Sequence, residues 1–205
     1  MVGPSPILPA QGNSVDEKHK LRARMRTLRR EYVAALPDIT RALLFMRPPA
    51  PVAAWAPEGA TIGLYHAGPA EAPTAAYARW FHDNGRRVAL PWFADRDAPM
   101  RFKLWRDPYD DENLAVGPFG QPQPLPDAED AMPDTVFVPL VAFTATGERL
   151  GQGGGHYDRW LAANPSAVPI GLAWDSQLVA SLPNESHDRR LRAVVTPTRL
   201  YEGDN

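Results

Sequence analysis

The eight residues from Thr135 to Ala142, Thr-Val-Phe-Val-Pro-Leu-Val-Ala, are nearly all apolar and rich in β-branched side chains. A strand with no polar face must be covered on both sides, a condition met by parallel sheets flanked by helices. Shortly afterwards comes Arg149-Leu-Gly-Gln-Gly-Gly-Gly-His-Tyr-Asp-Arg159, with glycines at 151, 153, 154 and 155, leading into helix-like sequence from Gly155 to Ala163. Glycines let backbone amides approach a ligand with no side chain between, and a helix start adds its positive dipole end. Phosphate is the natural occupant of such a cradle, the alternative being an ordinary glycine-rich turn. Arg149 and Arg159 supply cations beside it, and Asp158 a hard oxygen ligand suited to Mg²⁺.

Strand candidates are Thr61 to Tyr65, Val88 to Phe93, Arg101 to Trp105, Thr135 to Ala142, Val168 to Trp174 and Ala193 to Thr196. Helix candidates are Glu17 to Leu36, Ile39 to Met46, Glu71 to Asn84, Gly155 to Ala163 and Ser176 to Leu182. Ala94 to Pro133 reads mostly as loop and turn. Alternation of this kind predicts an α/β fold, a three-layer single domain with a central, largely parallel sheet and helices on both faces. With 205 residues and 44% hydrophobic content, the chain has the size and core of one domain. Residues 1–15 carry three prolines and no cationic segment before an apolar core, so they read as a disordered leader to a domain over 16–205.

Charge and composition remove several function classes. A net charge of −2 argues against a general nucleic-acid binder, and a monomer in the cytoplasm is expected. No apolar run is long enough to span a membrane. The absence of cysteine excludes disulfides, thiolate zinc and a cysteine nucleophile. His19, His66, His82, His156 and His187 lack paired metal-ligand spacing. The cations are concentrated between Glu17 and Leu36, where Leu21, Met25, Leu28 and Tyr32 recur at helical spacing. Lys18, Arg22 and Arg29 flank that apolar stripe on one side and Lys20 and Arg24 on the other, while Arg30 points away. A solvated basic face, an arm for nucleic acid and a converging polyphosphate site are all open for this segment.

Two familiar phosphate loops are excluded. No Lys follows Lys103, so there is no Gly-x-x-x-x-Gly-Lys-Ser/Thr, and His156 breaks the dinucleotide fingerprint. Instead, Pro139, Phe143, Gly147, Arg149, Leu150, Gly151, Gly153, Gly155, Tyr157 and Asp158 stand in register with another pattern. That pattern is Pro-x-x-x-Phe-Asp-x-x-Gly-x-Arg-Leu-Gly-x-Gly-x-Gly-aromatic-Tyr-Asp, and in it the chain resembles the 5-formyltetrahydrofolate cyclo-ligase family. Lys18-His-Lys-Leu-Arg22 is similar to the family's N-terminal Lys-x-x-Leu/Ile-Arg, Ile62 to Thr74 to its strand, loop and Glu-x-x-Thr, and Gly117 to Pro124 to a loop ending in Pro.

The resemblance implies ATP-dependent, Mg²⁺-dependent conversion of 5-formyltetrahydrofolate to 5,10-methenyltetrahydrofolate, with ADP and phosphate released. It implies Lys18, Arg22, Arg149, Leu150, Gly151, Gln152, Gly153, Gly154, Gly155, His156 and Tyr157 around ATP, and Asp158 on Mg²⁺. On the folate side it implies His66, Glu71 and the same loop, Gln152 to His156, with Arg149 and Tyr157 as the catalytic pair. A first-turn Glu stabilising a helix N-terminus is the local alternative for Glu71. The chain departs from the pattern at Thr144, where Asp is usual, at His156, where Tyr or Phe is usual, and at Arg192, where an acidic residue often precedes the last strand. The role of that carboxylate in holding Mg²⁺ is then either empty or taken by Asp188, four residues earlier. Other readings are a paralogue that binds nucleotide or a pterin without turnover, and a basic-helix nucleic-acid protein.

Overall fold

The computed structural model describes residues 14–183 and 189–203. Its core is an eight-stranded sheet assembled from β1 (Thr61–Gly63), β2 (Arg87–Trp92), β3 (Arg101–Leu104), β6 (Asp130–Ala131), β7 (Thr135–Pro139), β10 (Val168–Leu172), β11 (Ala193–Val195) and β12 (Leu200–Glu202). The spatial order is β12-β11-β10-β7-β1-β2-β3-β6. The five central strands are parallel, and antiparallel β12, β3 and β6 complete the edges. Two small ribbons stand outside the sheet, β4 (Leu114–Val116) with β5 (Pro122–Pro124) and β8 (Ala142–Phe143) with β9 (Arg149–Leu150).

Alternate side chains of the central strands serve opposite faces. Ile62, Leu64, Leu90, Phe137 and Ile170 pack on one side with Val33 of α1 (Ser14–Ala35), Val52 of α3 (Ala50–Ala54) and Tyr77 and Phe81 of α4 (Ala75–Asp83). Ala89, Val136, Val138 and Val194 pack on the other with Trp160 and Leu161 of α5 (His156–Ala163). This is the expected three-layer α/β arrangement, and the doubly covered strands explain the near-continuous apolar runs.

Several elements differ from expectation. The run Thr135 to Ala142 is not one strand: β7 ends at Pro139, which offers no N–H to a neighbouring ladder. The chain then turns off the sheet, and the freed carbonyls find buried partners. Gln177 Nε2 donates to Leu140 O at 2.8 Å and Val141 O at 3.1 Å, and Arg29 Nη1 to Leu140 O at 3.3 Å. Gln177 lies in a short 3-10 turn, Asp175–Gln177, where a helix from Ser176 to Leu182 was expected. The helix expected from Glu71 starts at Ala75, and that expected over Ile39 to Met46 is α2 (Asp38–Leu43). Strands β4, β5 and β6 occupy the stretch expected to be mostly loop. Helix α1 begins at Ser14, so residues 14 and 15 belong to it, while the rest of the leader and Asp188 lie outside the described residues.

The buried stripe of α1 is also rotated from the expected one. Lys18, Met25, Arg29 and Val33 are buried, whereas Leu28 is 38% exposed. Val33 reaches the main core with Tyr32 packed against it, while Met25 packs on Val141, Ala142 and Leu150, which ties the helix to the β8–β9 ribbon. Lys20, Arg24 and Arg30 are exposed, so the division between two sets of cations holds, with Arg29 at the centre of the inward face.

Candidate functional site

Chain order around the sheet reverses between β1 and β7: the path runs from β1 outward to β2, then returns to β7 on the other side of β1. Open α/β sheets bind ligands in the crevice outside the carboxyl ends of their strands at such a point. A cavity of about 690 Å³ lies there, within the usual range for a small-molecule site. It is reached by Tyr65 and His66 after β1, Pro91 and Phe93 at the end of β2, and Val138 and Pro139 at the end of β7.

One wall is the glycine loop. Gly153 has φ +112° and Gly155 φ +64°, conformations that side-chain-bearing residues rarely adopt. Gly155 is also the N-cap of α5 and provides no side-chain cap, so the first amides of that helix have no capping partner from that position. Cations of α1 lean over this loop. Arg22 Nε donates to Gly151 O at 3.0 Å, Arg26 Nη2 donates to Gln152 O at 2.9 Å, and Lys18 lines the cavity beside them. From beneath, the buried Arg149 guanidinium is held by the Asp158 carboxylate and donates to Arg189 O. Leu150 contributes to the cavity lining while its side chain is buried against Met25.

Against the loop lies an aromatic cluster. His156 meets Phe93 and Phe119 edge to face, with ring centroids 4.9 and 5.3 Å away. Phe119 comes from the β4–β5 loop, which Gln123 fastens to β2 through paired bonds to Phe93 N (3.1 Å) and O (3.0 Å). The ring of His156 covers Gly154 so closely that a Cβ there would fall 2.7 Å from it. Its Nδ1 faces Arg159 Nη2 at 3.1 Å. A guanidinium only donates, so the imidazole is neutral with its proton on Nε2. Burial first and the Arg159 charge second hold its pKa below the usual histidine value.

Two residues of the cavity lining carry polar atoms suited to a ligand. The Tyr157 hydroxyl and the His66 Nδ1 are buried without a hydrogen-bond partner among the described residues. Burial, reinforced by the nearby Glu71 charge, pushes the Tyr157 pKa far up, so this phenol stays a neutral donor. Glu71 sits in a turn before α4, which removes the reading that it stabilises a helix N-terminus. Its Oε2 accepts from Gly68 N at 2.9 Å, its Oε1 from Gln152 Nε2 at 2.9 Å, and Arg29 lies 3.7 Å away.

The structure therefore brings Lys18, Arg22, His66, Glu71, Arg149 and the segment Leu150 to Asp158 to one cavity. Arg26 and Arg29 do not line the cavity but reach residues that do, Arg26 bonding to Gln152 and Arg29 lying beside Glu71; Lys18, Arg22, Arg26 and Arg29 recur at intervals of four, four and three, as regular a face as the apolar one. The rings of Phe93 and Phe119 carried no signal at all beyond the glycine- and proline-rich loop. Thr144 shapes the β8–β9 turn, accepting from Glu148 N at 3.2 Å and meeting Thr146 Oγ1 at 3.0 Å. Arg192 lies outside the cavity lining, its guanidinium 5.1 Å over the Trp55 ring.

A Mg²⁺ site is not assembled here. Among the described residues no three His, Cys, Asp or Glu side chains gather, and both carboxylates of the cavity are engaged, Asp158 by Arg149 and Glu71 by Gln152 and Gly68. Nor is any described helix long and apolar enough to cross a membrane.

Comparison with known proteins agrees with this geometry. Residues 14–197 match the model of the 5-formyltetrahydrofolate cyclo-ligase family. A 5-formyltetrahydrofolate cyclo-ligase of Escherichia coli strain K12 is 39% identical over 124 residues, covering 58% of this chain and 67% of that protein. One from Haemophilus influenzae is 34% identical over 133 residues, covering 62% and 70%. The solved structure of Aquifex aeolicus 5,10-methenyltetrahydrofolate synthetase shares the fold, with a TM-score of 0.62 at 21% identity over 94% of this chain and 93% of that one. With a family match running from the first helix to the last parallel strand, and the glycine loop, its cations and its aromatic wall meeting in one cavity, the chain belongs to the 5-formyltetrahydrofolate cyclo-ligase family.

Proposed function

We propose that the chain converts 5-formyltetrahydrofolate to 5,10-methenyltetrahydrofolate at the expense of ATP, releasing ADP and phosphate, and that it acts as a cytoplasmic monomer. One observation carries this reading: a single cavity joins a cation-flanked glycine loop to an aromatic wall with a carboxylate, suiting a polyphosphate at one end and a flat, hydrogen-bonding ring at the other.

In the reaction the formyl oxygen attacks the γ-phosphorus and ADP departs. The folate's nitrogen at position 10 then attacks the formyl carbon and loses its proton, and the phosphorylated oxygen leaves as phosphate. Both nucleophiles belong to the substrate, so the protein has to position and stabilise charge. Lys18, Arg22 and the amides of Gly151 to Gly155 take the phosphates, and Arg149 faces the transferring group. Asp158 orients Arg149, and the neutral Tyr157 hydroxyl donates to the reacting oxygen or to a phosphate. Glu71 accepts N–H groups of the folate ring, which lies against Phe93, Phe119 and His156. The Mg²⁺ implied by the family would be held chiefly by phosphate oxygens and water, because Asp158 is already paired.

The test is absorbance near the ultraviolet-visible boundary, where the methenyl product absorbs and the formyl substrate does not. Product should appear only with ATP and a divalent cation together. Product without nucleotide, or folded protein inert under every condition, would overturn the proposal; nucleotide binding without turnover would favour a binding paralogue.

A further inference from the structure

Gln152 stands between Gly151 and Gly153, where a phosphate cradle requires no particular side chain, yet both ends of its amide are used. Its Oε1 accepts from Arg26 Nη2 at 2.9 Å and Nε at 3.2 Å, and its Nε2 donates to Glu71 Oε1 at 2.9 Å. A carbonyl facing a guanidinium and an NH₂ facing a carboxylate leave the amide one favourable orientation. Glu71 in turn holds Gly68 N through its other oxygen. A polar strap thus runs from α1 through the glycine loop to the turn at 68–71, joining segments 126 and 81 residues apart in sequence.

We propose that Gln152 is a positioning residue that couples the two ends of the cavity, so that occupation of the glycine loop by a nucleotide tightens binding of the folate, and the reverse. This rests on the proposed function, in which the loop takes phosphates and Glu71 takes the folate. The strap is solvent-exposed and each of its bonds is individually weak, so in the free protein the loop and the turn are only loosely held in register. A ligand that orders Gln152 from the loop side also orders Glu71, and the second ligand then meets a carboxylate already in place. Linkage makes the effect reciprocal and equal in both directions.

The experiment measures the dissociation constants of a non-hydrolysable ATP analogue and of 5-formyltetrahydrofolate, each alone and with the other saturating. In the wild-type protein each ligand should tighten the other by roughly five- to tenfold, the low end of usual coupling. Gln152→Ala should bring that factor to about one, whatever it does to the affinity for either ligand alone. Gln152→Glu keeps the bonds from Arg26 but turns a carboxylate toward Glu71, and should uncouple as well. Adding Glu71→Gln to it restores a donor–acceptor pair in the reverse direction and should recover the coupling, even where folate affinity itself falls. Coupling that persists in Gln152→Ala, a double variant that stays uncoupled, or wild-type protein binding both ligands independently would each overturn the inference. Wild-type protein binding neither ligand would overturn the functional reading beneath it.

Discussion

Removal of Arg22 tests whether the cations of α1 act as a defined phosphate site or as a diffuse positive face. Its Nε donates to Gly151 O at 3.0 Å in a partly buried setting, and its guanidinium carbon lies 3.8 Å from where a Gly153 Cβ would be. Arg22→Ala therefore deletes a charge-assisted bond to the loop and a cation beside the phosphates together. Hydrogen bonds to charged groups contribute about 1.5–3 kcal/mol, and partial exposure puts this one near the lower end. At about 1.4 kcal/mol per decade, kcat/KM for ATP should fall roughly 10- to 30-fold. Loss of the bond to Gly151 alone should lower Tm by about 2–4 °C per kcal/mol for a domain of this size. Lys18→Ala should also impair ATP use, since Lys18 is buried on the same face. Lys20 and Arg24 are exposed on the far side, so their alanine variants should change kcat/KM by less than about twofold and stability by at most about 0.5 kcal/mol. The assay is initial-rate formation of the methenyl product across ATP concentrations, with thermal melts of all four variants. Equal losses in all four, growing together as salt is lowered, would refute a defined site and restore the nucleic-acid or general-anion reading.

Two further variants probe the residues that follow the glycine loop. Because the Tyr157 hydroxyl is buried with no partner among the described residues, Tyr157→Phe should leave the ligand-free protein as stable or about 1 kcal/mol more so, while lowering turnover; a clear drop in Tm would show that the hydroxyl is satisfied without ligand. His156 has a folded-state pKa below its unfolded value, so the unfolded chain takes up the proton first as pH falls. Its contribution to stability is complete above about pH 6.5 and is lost as pH drops through the depressed folded value. His156→Phe should accordingly lose less Tm than wild type between pH 7 and 5, and identical pH slopes would contradict the neutral imidazole inferred from its bond with Arg159.

Much of this molecule is legible in local sequence. The central strands announce themselves because a strand covered on both faces leaves no room for polar alternation, as in Thr-Val-Phe-Val at 135–138. The glycine loop is equally local: positive φ at Gly153 and Gly155 requires glycine whatever else the chain does. Flanked by Arg149 and Asp158, that loop is where the sequence alone leads one to expect an anion, and the structure places it in the lining of the cavity.

Tertiary structure decided what depends on partners far along the chain. Which face of α1 turns inward could not be read from its apolar residues, because Arg29 is buried only by virtue of Leu140 O and Glu71, 111 and 42 residues away. Pro139 ends the strand locally, but the Leu140 and Val141 carbonyls that leave the sheet are satisfied by Gln177 Nε2, 37 and 36 residues away. Asp158 appeared free to hold a metal until Arg149 was found against it, and Phe93 and Phe119 met His156 only once the β4–β5 loop was folded onto β2. Propensity and periodicity act over one or two turns of chain, so they determine elements and the conformations inside them. The fate of a buried charge or a loop aromatic depends on the group opposite it, and only the packing of distant elements supplies that group.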